Sequence, residues 1–163
     1  MISDNIRRRA DGVLTFAGHS VPALAEQYAT PLYLMDEARI RRNCRIYLDT
    51  FRECFGAQAL PLFAGKAASY KQIYRIVNEE GMGIDAVSVG EIHTALQAGF
   101  PADRIFFHVD GKTDADIRYA VTHRVGYFIV DNPEELQQLA EEAGLQGIEQ
   151  KVLLRITPGI DPH

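Results

Sequence analysis

Gly83-Ile84-Asp85-Ala86-Val87-Ser88-Val89-Gly90-Glu91-Ile92-His93-Thr94-Ala95-Leu96-Gln97-Ala98-Gly99 carries the architecture in one stretch. A short apolar run at 84–87 gives way to an amphipathic segment, Gly90–Ala98, which ends at a glycine. The order recurs on both sides. Further apolar runs lie at about 59–64, 104–109, 127–130 and 151–156, and further amphipathic stretches at Tyr70–Glu80, Asp114–His123 and Pro133–Ala143. The runs are rich in Val, Ile, Leu and Phe and repeat about every 21–25 residues, the period of a βα unit with short loops. Consecutive units of this kind predict a parallel sheet covered by helices. Boundary chemistry agrees: Gly81 and Gly83 follow one helical stretch, and Asn132-Pro133-Glu134-Glu135 opens another with a capping Asn, a first-turn Pro and acids at the positive dipole end.

Ahead of the repeat, Gly12–Gly18 and Pro31–Met35 are predicted as short strands, and Asp36–Phe55 as a helix capped by Asp36. The expected division is residues 1–35 as an N-terminal segment of a different layer and 36–163 as the repeating α/β part. A (β/α)8 barrel needs eight strands and typically about 250 residues. Five strands in 163 residues therefore predict an incomplete barrel, its opening portion. The alternative is a complete doubly wound domain of five strands. No glycine-rich phosphate fingerprint follows the first strand, which argues against Rossmann-type nucleotide binding.

Bulk properties narrow the function classes. A hydrophobic content of 47% with 24% charged residues is that of a globular chain, and a net charge of −5 argues against nucleic-acid or anionic-membrane partners. No apolar stretch is long enough to span a bilayer. Cys44 and Cys54 fall ten apart on different faces of one predicted helix, so they fit free thiols in a cytoplasmic protein better than a disulfide or metal site.

Chemistry in parallel sheets collects at the carboxyl ends of strands. Those ends carry Lys66, then Asp85 with Ser88, then His108 with Asp110, then Asp131, then Arg155. Five ionisable groups on one side of a sheet predict a site. Lys66 tips the run Ala59-Leu60-Pro61-Leu62-Phe63-Ala64-Gly65. There it reads either as a Schiff-base nucleophile or as a snorkelling lysine with its head in water. Arg155 and Asp85, inside apolar runs, each need a partner, and Asp85 could pair with Lys66 or with a cofactor. Asp131 could instead cap the following helix, and Asp110 form a turn with Gly111. No His or Cys set has metal-ligand spacing, and Ser69 and Ser88 lack a positioned His–Asp pair.

Phe63-Ala64-Gly65-Lys66-Ala67 resembles the aromatic-Ala-x-Lys-Ala signature of the fold-type III pyridoxal-phosphate decarboxylases, and within them the diaminopimelate decarboxylase family. Four further segments follow in the family's order: Gly83–Glu91, Phe107-His108 with Gly111-Lys112-Thr113, Val130–Leu136 and Arg155–His163. With the Thr30-Pro31-Leu32-Tyr33 entry, the resemblance covers nearly the whole chain. It implies a (β/α)8 barrel plus a β-domain to which the N-terminal segment contributes, and a homodimer with active sites at the subunit interface. It implies pyridoxal 5'-phosphate as cofactor, Lys66 as catalytic residue and Schiff-base anchor, and cofactor contacts from Lys66, Asp85, Arg155, Ala64 and His108. The implied reaction is decarboxylation of meso-2,6-diaminopimelate, a small amino-acid substrate, to L-lysine and CO2. The chain departs from the pattern at Val109-Asp110, where the family has Gly-Asn, and at Val89, where it has glycine. The family's ring-stacking histidine, phosphate loop and pyridine-nitrogen acid fall past residue 163, so the chain is expected to be inactive alone. A related ornithine, arginine or carboxynorspermidine decarboxylase, a non-catalytic protein of the same fold and a Schiff-base aldolase remain the alternatives.

Overall fold

The structure, a computed structural model, describes residues 4–156 together with Pro158 and Gly159. Of the segment Arg155–His163, Thr157 and residues 160–163 lie outside the described residues. Contacts divide the chain into two compact units, Met1–Arg42 and Asn43–His163.

In the first unit, β1 (Ile6–Arg8), β2 (Leu14–Phe16) and β3 (His19–Ser20) form an antiparallel meander, followed by helix α1 (Val21–Tyr28). The Ser20 hydroxyl accepts from Ala23 N and caps α1. Pro31–Met35 forms no strand, contrary to the sequence expectation. An extended run becomes a strand only when a neighbour takes up its amides and carbonyls, and Pro31 lacks an amide hydrogen. Tyr33 in this run is 94% exposed. Helix α2 (Glu37–Phe55) starts where predicted: Asp36 accepts from Arg39 N at 3.1 Å and from the Asn5 side chain at 2.9 Å. Those two hydrogen bonds, Asn5's first, hold the Asp36 carboxyl below its ordinary value.

The second unit is built on five parallel strands: β4 (Leu62–Ala64), β5 (Gly83–Ala86), β6 (Ile105–Phe107), β7 (Tyr127–Val130) and β8 (Lys151–Leu154). Their spatial order is their sequence order. Helices α3 (Lys71–Glu80), α4 (Val89–Gln97), α5 (Asp114–Thr122) and α6 (Pro133–Leu145) occupy the connections, and each packs on the next. A doubly wound sheet reverses its order and divides its helices between two faces. Here the order never reverses and the helices form one continuous layer, the winding of a barrel segment. The doubly wound alternative is thereby overturned.

Alternation along the strands sorts the two faces. Ile84, Ala86, Ile105, Phe107, Phe128 and Val130 are buried, as are Ile73, Tyr74, Ile76 and Val77 of α3, spaced along one helical stripe. The register places Ala64, Asp85, Phe106, Tyr127 and Lys151 in one row on the other face. In that row Phe106 stacks on Tyr127 with centroids 4.4 Å apart, and the Lys151 ammonium lies over the tyrosine ring. Strand β4 starts at Leu62 rather than 59, because Pro61 cannot donate to the ladder. Helix α3 stops at Gly81, whose φ of 91° is a left-handed cap.

Candidate active site

Each strand of the second unit delivers a polar group to the same end of the sheet. After β4 the chain makes a 3-10 turn, Gly65–Ala67, that presents Lys66 to solvent. From β5 and β6 come Asp85 and His108, their Oδ1 and Nδ1 atoms 3.4 Å apart. Asp85 thus has His108 rather than Lys66 as its neighbour, with no hydrogen bond between the two. His108 N also donates to Ala86 O, extending the β5–β6 ladder to the mouth. Asp131 and Arg155 follow β7 and β8, and Arg155 N donates to Val130 O.

Arg155 is the centre of charge at this end. Its Nη1 bonds Asp110 Oδ1 and lies 3.3 Å from Asp131 Oδ1. The guanidinium holds the Asp110 carboxyl below its ordinary value, and Asp110 in turn raises Arg155. A charged strand end thereby finds the partners it requires. Asp131 does not cap α6: Asn132 Oδ1 does so, accepting from Glu135 N at 2.8 Å. Asp110 makes the expected turn with Gly111 and also reaches Arg155. Asp110, Gly111, Asp131, Asn132 and Arg155 line an open depression of about 310 Å³. Asp85 Oδ1, Asp131 Oδ2 and Glu135 Oε1 are buried and accept no hydrogen bond among the described residues.

Beneath Lys66 lies a support that sequence reading missed. Gly65 is buried, and a Cβ there would stand 2.4 Å from Glu91 Oε2 and 2.9 Å from the Tyr74 hydroxyl. Glu91 Oε2 accepts from Val87 N at 2.9 Å, and Tyr74 shares a hydrogen bond with Ser69 at 3.0 Å. Burial raises the Tyr74 phenol above its ordinary value, opposed by the Ser69 hydrogen bond and aided by the charge of Glu91. The available signal was Ser88-x-x-Glu91, a capping-box spacing; Ser88 Oγ does accept from Glu91 N. Also unforeseen is a buried ion pair between Lys112 and Glu135, 2.7 Å apart.

Comparison with known proteins defines the class first. Residues 37–163 match the family described as "Pyridoxal-dependent decarboxylase, pyridoxal binding domain". The chain belongs to this family. A diaminopimelate decarboxylase of Bacillus methanolicus is 40% identical over 152 residues, covering 93% of this chain and 35% of that protein. The solved diaminopimelate decarboxylase of M. jannaschii in complex with L-lysine superposes with a TM-score of 0.86 at 31% identity, over 98% of this chain and 37% of that one. A lysine/ornithine decarboxylase of Vibrio vulnificus, complexed with putrescine, gives 0.73 at 26% identity over 92% and 38%. The chain spans about a third of the length of the curated relatives it matches. The five-stranded sheet accordingly has the fold of a partial (β/α)8 barrel.

Proposed function

We propose that this chain is the lysine-bearing part of a pyridoxal-phosphate-dependent decarboxylase that converts meso-2,6-diaminopimelate to L-lysine and CO2. The observation that carries the reading is Lys66, a solvent-facing amine on a braced turn at the end of β4, on the same sheet end as Asp85, His108 and Arg155. The donor set fits the aldehyde and ring end of the cofactor. Lys66 would hold the aldehyde carbon, Ala64 leaves room beside Asp85 in the register row, and Asp85 carries a buried oxygen still able to accept. His108 stands beside Asp85, and Arg155 balances Asp110 and Asp131. Bound there, pyridoxal phosphate supplies the sink for the electron pair that carboxylate loss leaves behind.

The 40% and 31% identities to diaminopimelate decarboxylases, against 26% to the lysine/ornithine enzyme, favour diaminopimelate as substrate. In the same reading residues 1–35 contribute to a separate β-domain, for which the antiparallel meander speaks, and residues 36–163 belong to the barrel. The complete enzyme is a cytoplasmic homodimer in this reading. For the compartment, the support is that Cys44 and Cys54 are not joined in a disulfide.

Borohydride trapping with pyridoxal phosphate, followed by peptide mapping, tests the anchor. The chain has four lysines, so Lys71, Lys112 and Lys151 serve as internal controls. The expected adduct is confined to Lys66 and disappears in Lys66→Ala, whose melting temperature stays at the wild-type value because Lys66 is exposed. Equal labelling of Lys71 and Lys151, or a persistent signal in Lys66→Ala, refutes the assignment. With a full-length protein, turnover of ornithine in preference to meso-diaminopimelate would move the substrate to the lysine/ornithine class.

A further inference from the structure

The Lys112 side chain is fully buried, and its ammonium is met by two carbonyl acceptors and one carboxylate at ion-pair distance. Nζ donates to Val109 O at 3.0 Å and to Ile129 O at 2.7 Å, and stands 2.7 Å from Glu135 Oε1. The Phe107 ring lies beneath it, its centroid 5.5 Å from Nζ. The other Glu135 oxygen accepts from Asp131 N at 3.3 Å. Every joint flanks a residue of the mouth. Val109 lies between His108 and Asp110, Ile129 is two residues before Asp131, and the third joint is the Asp131 amide itself.

Desolvating both ions is expensive, and an apolar pair of similar volume commonly serves stability as well or better. The preceding β5–α4 loop shows the simpler solution: Glu91 accepts from Val87 N and, among the described residues, forms no ion pair with a lysine. What Lys112 adds is a buried tie beneath the two loops, β6–α5 and β7–α6, whose carboxylates Asp110 and Asp131 meet Arg155 at the surface. We propose that the buried Lys112–Glu135 pair is the positioning element of the mouth, holding these two loops in register so that Asp110 and Asp131 converge on Arg155. Its meaning for catalysis rests on the cofactor reading above; the geometry it imposes does not.

The test reads that geometry. The Asp110 carboxyl is followed by carbon-detected NMR titration, with Asp131 and His108, which share its surroundings, followed in parallel. Two variants are compared with the wild-type chain. Lys112→Met/Glu135→Leu replaces the pair by apolar groups. Glu135→Asp keeps the charge and places at this helix start the residue type that Asp116 already provides in the Thr113 capping box of α5, but shortens the arm. The expected result is a folded double variant in which the Asp110 titration shifts upward toward the ordinary carboxylate range, with a smaller upward shift in Glu135→Asp. Asp110 left unmoved in the folded double variant, with melting temperature the only change, makes the pair purely structural and overturns the proposal. Should the double variant fail to fold, Glu135→Asp decides alone, an unmoved Asp110 again being refutation. Absence of a Lys66 adduct in the wild-type chain would sink the cofactor reading while leaving this titration intact.

Discussion

Replacing Gly65 by alanine tests whether the Lys66 turn is braced from below. Gly65 does not have a left-handed backbone, so the substitution costs nothing in φ. The cost is steric. The new methyl would lie 2.4 Å from Glu91 Oε2, 3.1 Å from Glu91 Cδ and 2.9 Å from the Tyr74 hydroxyl. Glu91 must swing away, and the Val87 amide then loses its charged acceptor. Overpacking costs about 1–3 kcal/mol, and a lost hydrogen bond to a charged group about 1.5–3 kcal/mol, so Gly65→Ala should cost about 2.5–6 kcal/mol. For a chain of this size each kcal/mol lowers the melting temperature by about 2–4 °C, giving a fall of about 5–24 °C in thermal unfolding followed by circular dichroism. Gly90→Ala is the control. Its methyl meets only Ser88 Oγ, at 3.7 Å, and inside helix α4 it should gain up to about 1 kcal/mol. A cycle with Glu91→Ala locates the clash, since removing the carboxylate should shrink the penalty of Gly65→Ala. A Gly65→Ala protein that melts with the wild type, or a penalty unchanged in the Glu91→Ala background, refutes the bracing argument.

Two other perturbations separate buried from exposed electrostatics. Lys112→Ala strands Glu135 in the interior and should cost about 3–5 kcal/mol, whereas Arg118→Ala, which breaks the exposed pair with Glu142, should cost less than about 1 kcal/mol. Comparable losses for the two in urea titrations would show that the Lys112 site is wetter than the structure has it. Tyr74 governs the alkaline limb. Its folded-state value is raised, so the folded chain keeps the phenolic proton after the unfolded chain has released it. Stability is then intact below the ordinary tyrosine value of 10.0 and declines as pH rises through it. Tyr74→Phe should flatten this decline, and an identical alkaline profile in wild type and variant would remove Tyr74 from it.

Periodicity was enough for the elements of the repeat, because strand and helix patterns are local. The run 127–130 is β7 itself, and Asp114–His123 differs from α5 by one residue. The placement of Lys66, Asp85, His108, Asp131 and Arg155 at strand ends was equally legible, since parallel strands deliver their carboxyl ends to one side. Pro31–Met35 misled because strand character is conferred by a partner, which no local pattern reports.

What the chain determined by itself was therefore which segments are strands and helices, which end of the sheet carries charge, and the family resemblance held in Phe63–Ala67 and Arg155–His163. Only the tertiary structure decided between barrel and doubly wound order, because both wind the same βα units and differ only in which strand lies beside which. It alone paired Arg155 with Asp110, 45 residues away, set Lys112 on Ile129 O, 17 residues away, and set Glu91 and Tyr74 under Gly65. These contacts join residues with no common period. They form once strand register and loop conformation have brought the groups together, and buried charge then has to be satisfied by whatever acceptor the fold places in reach.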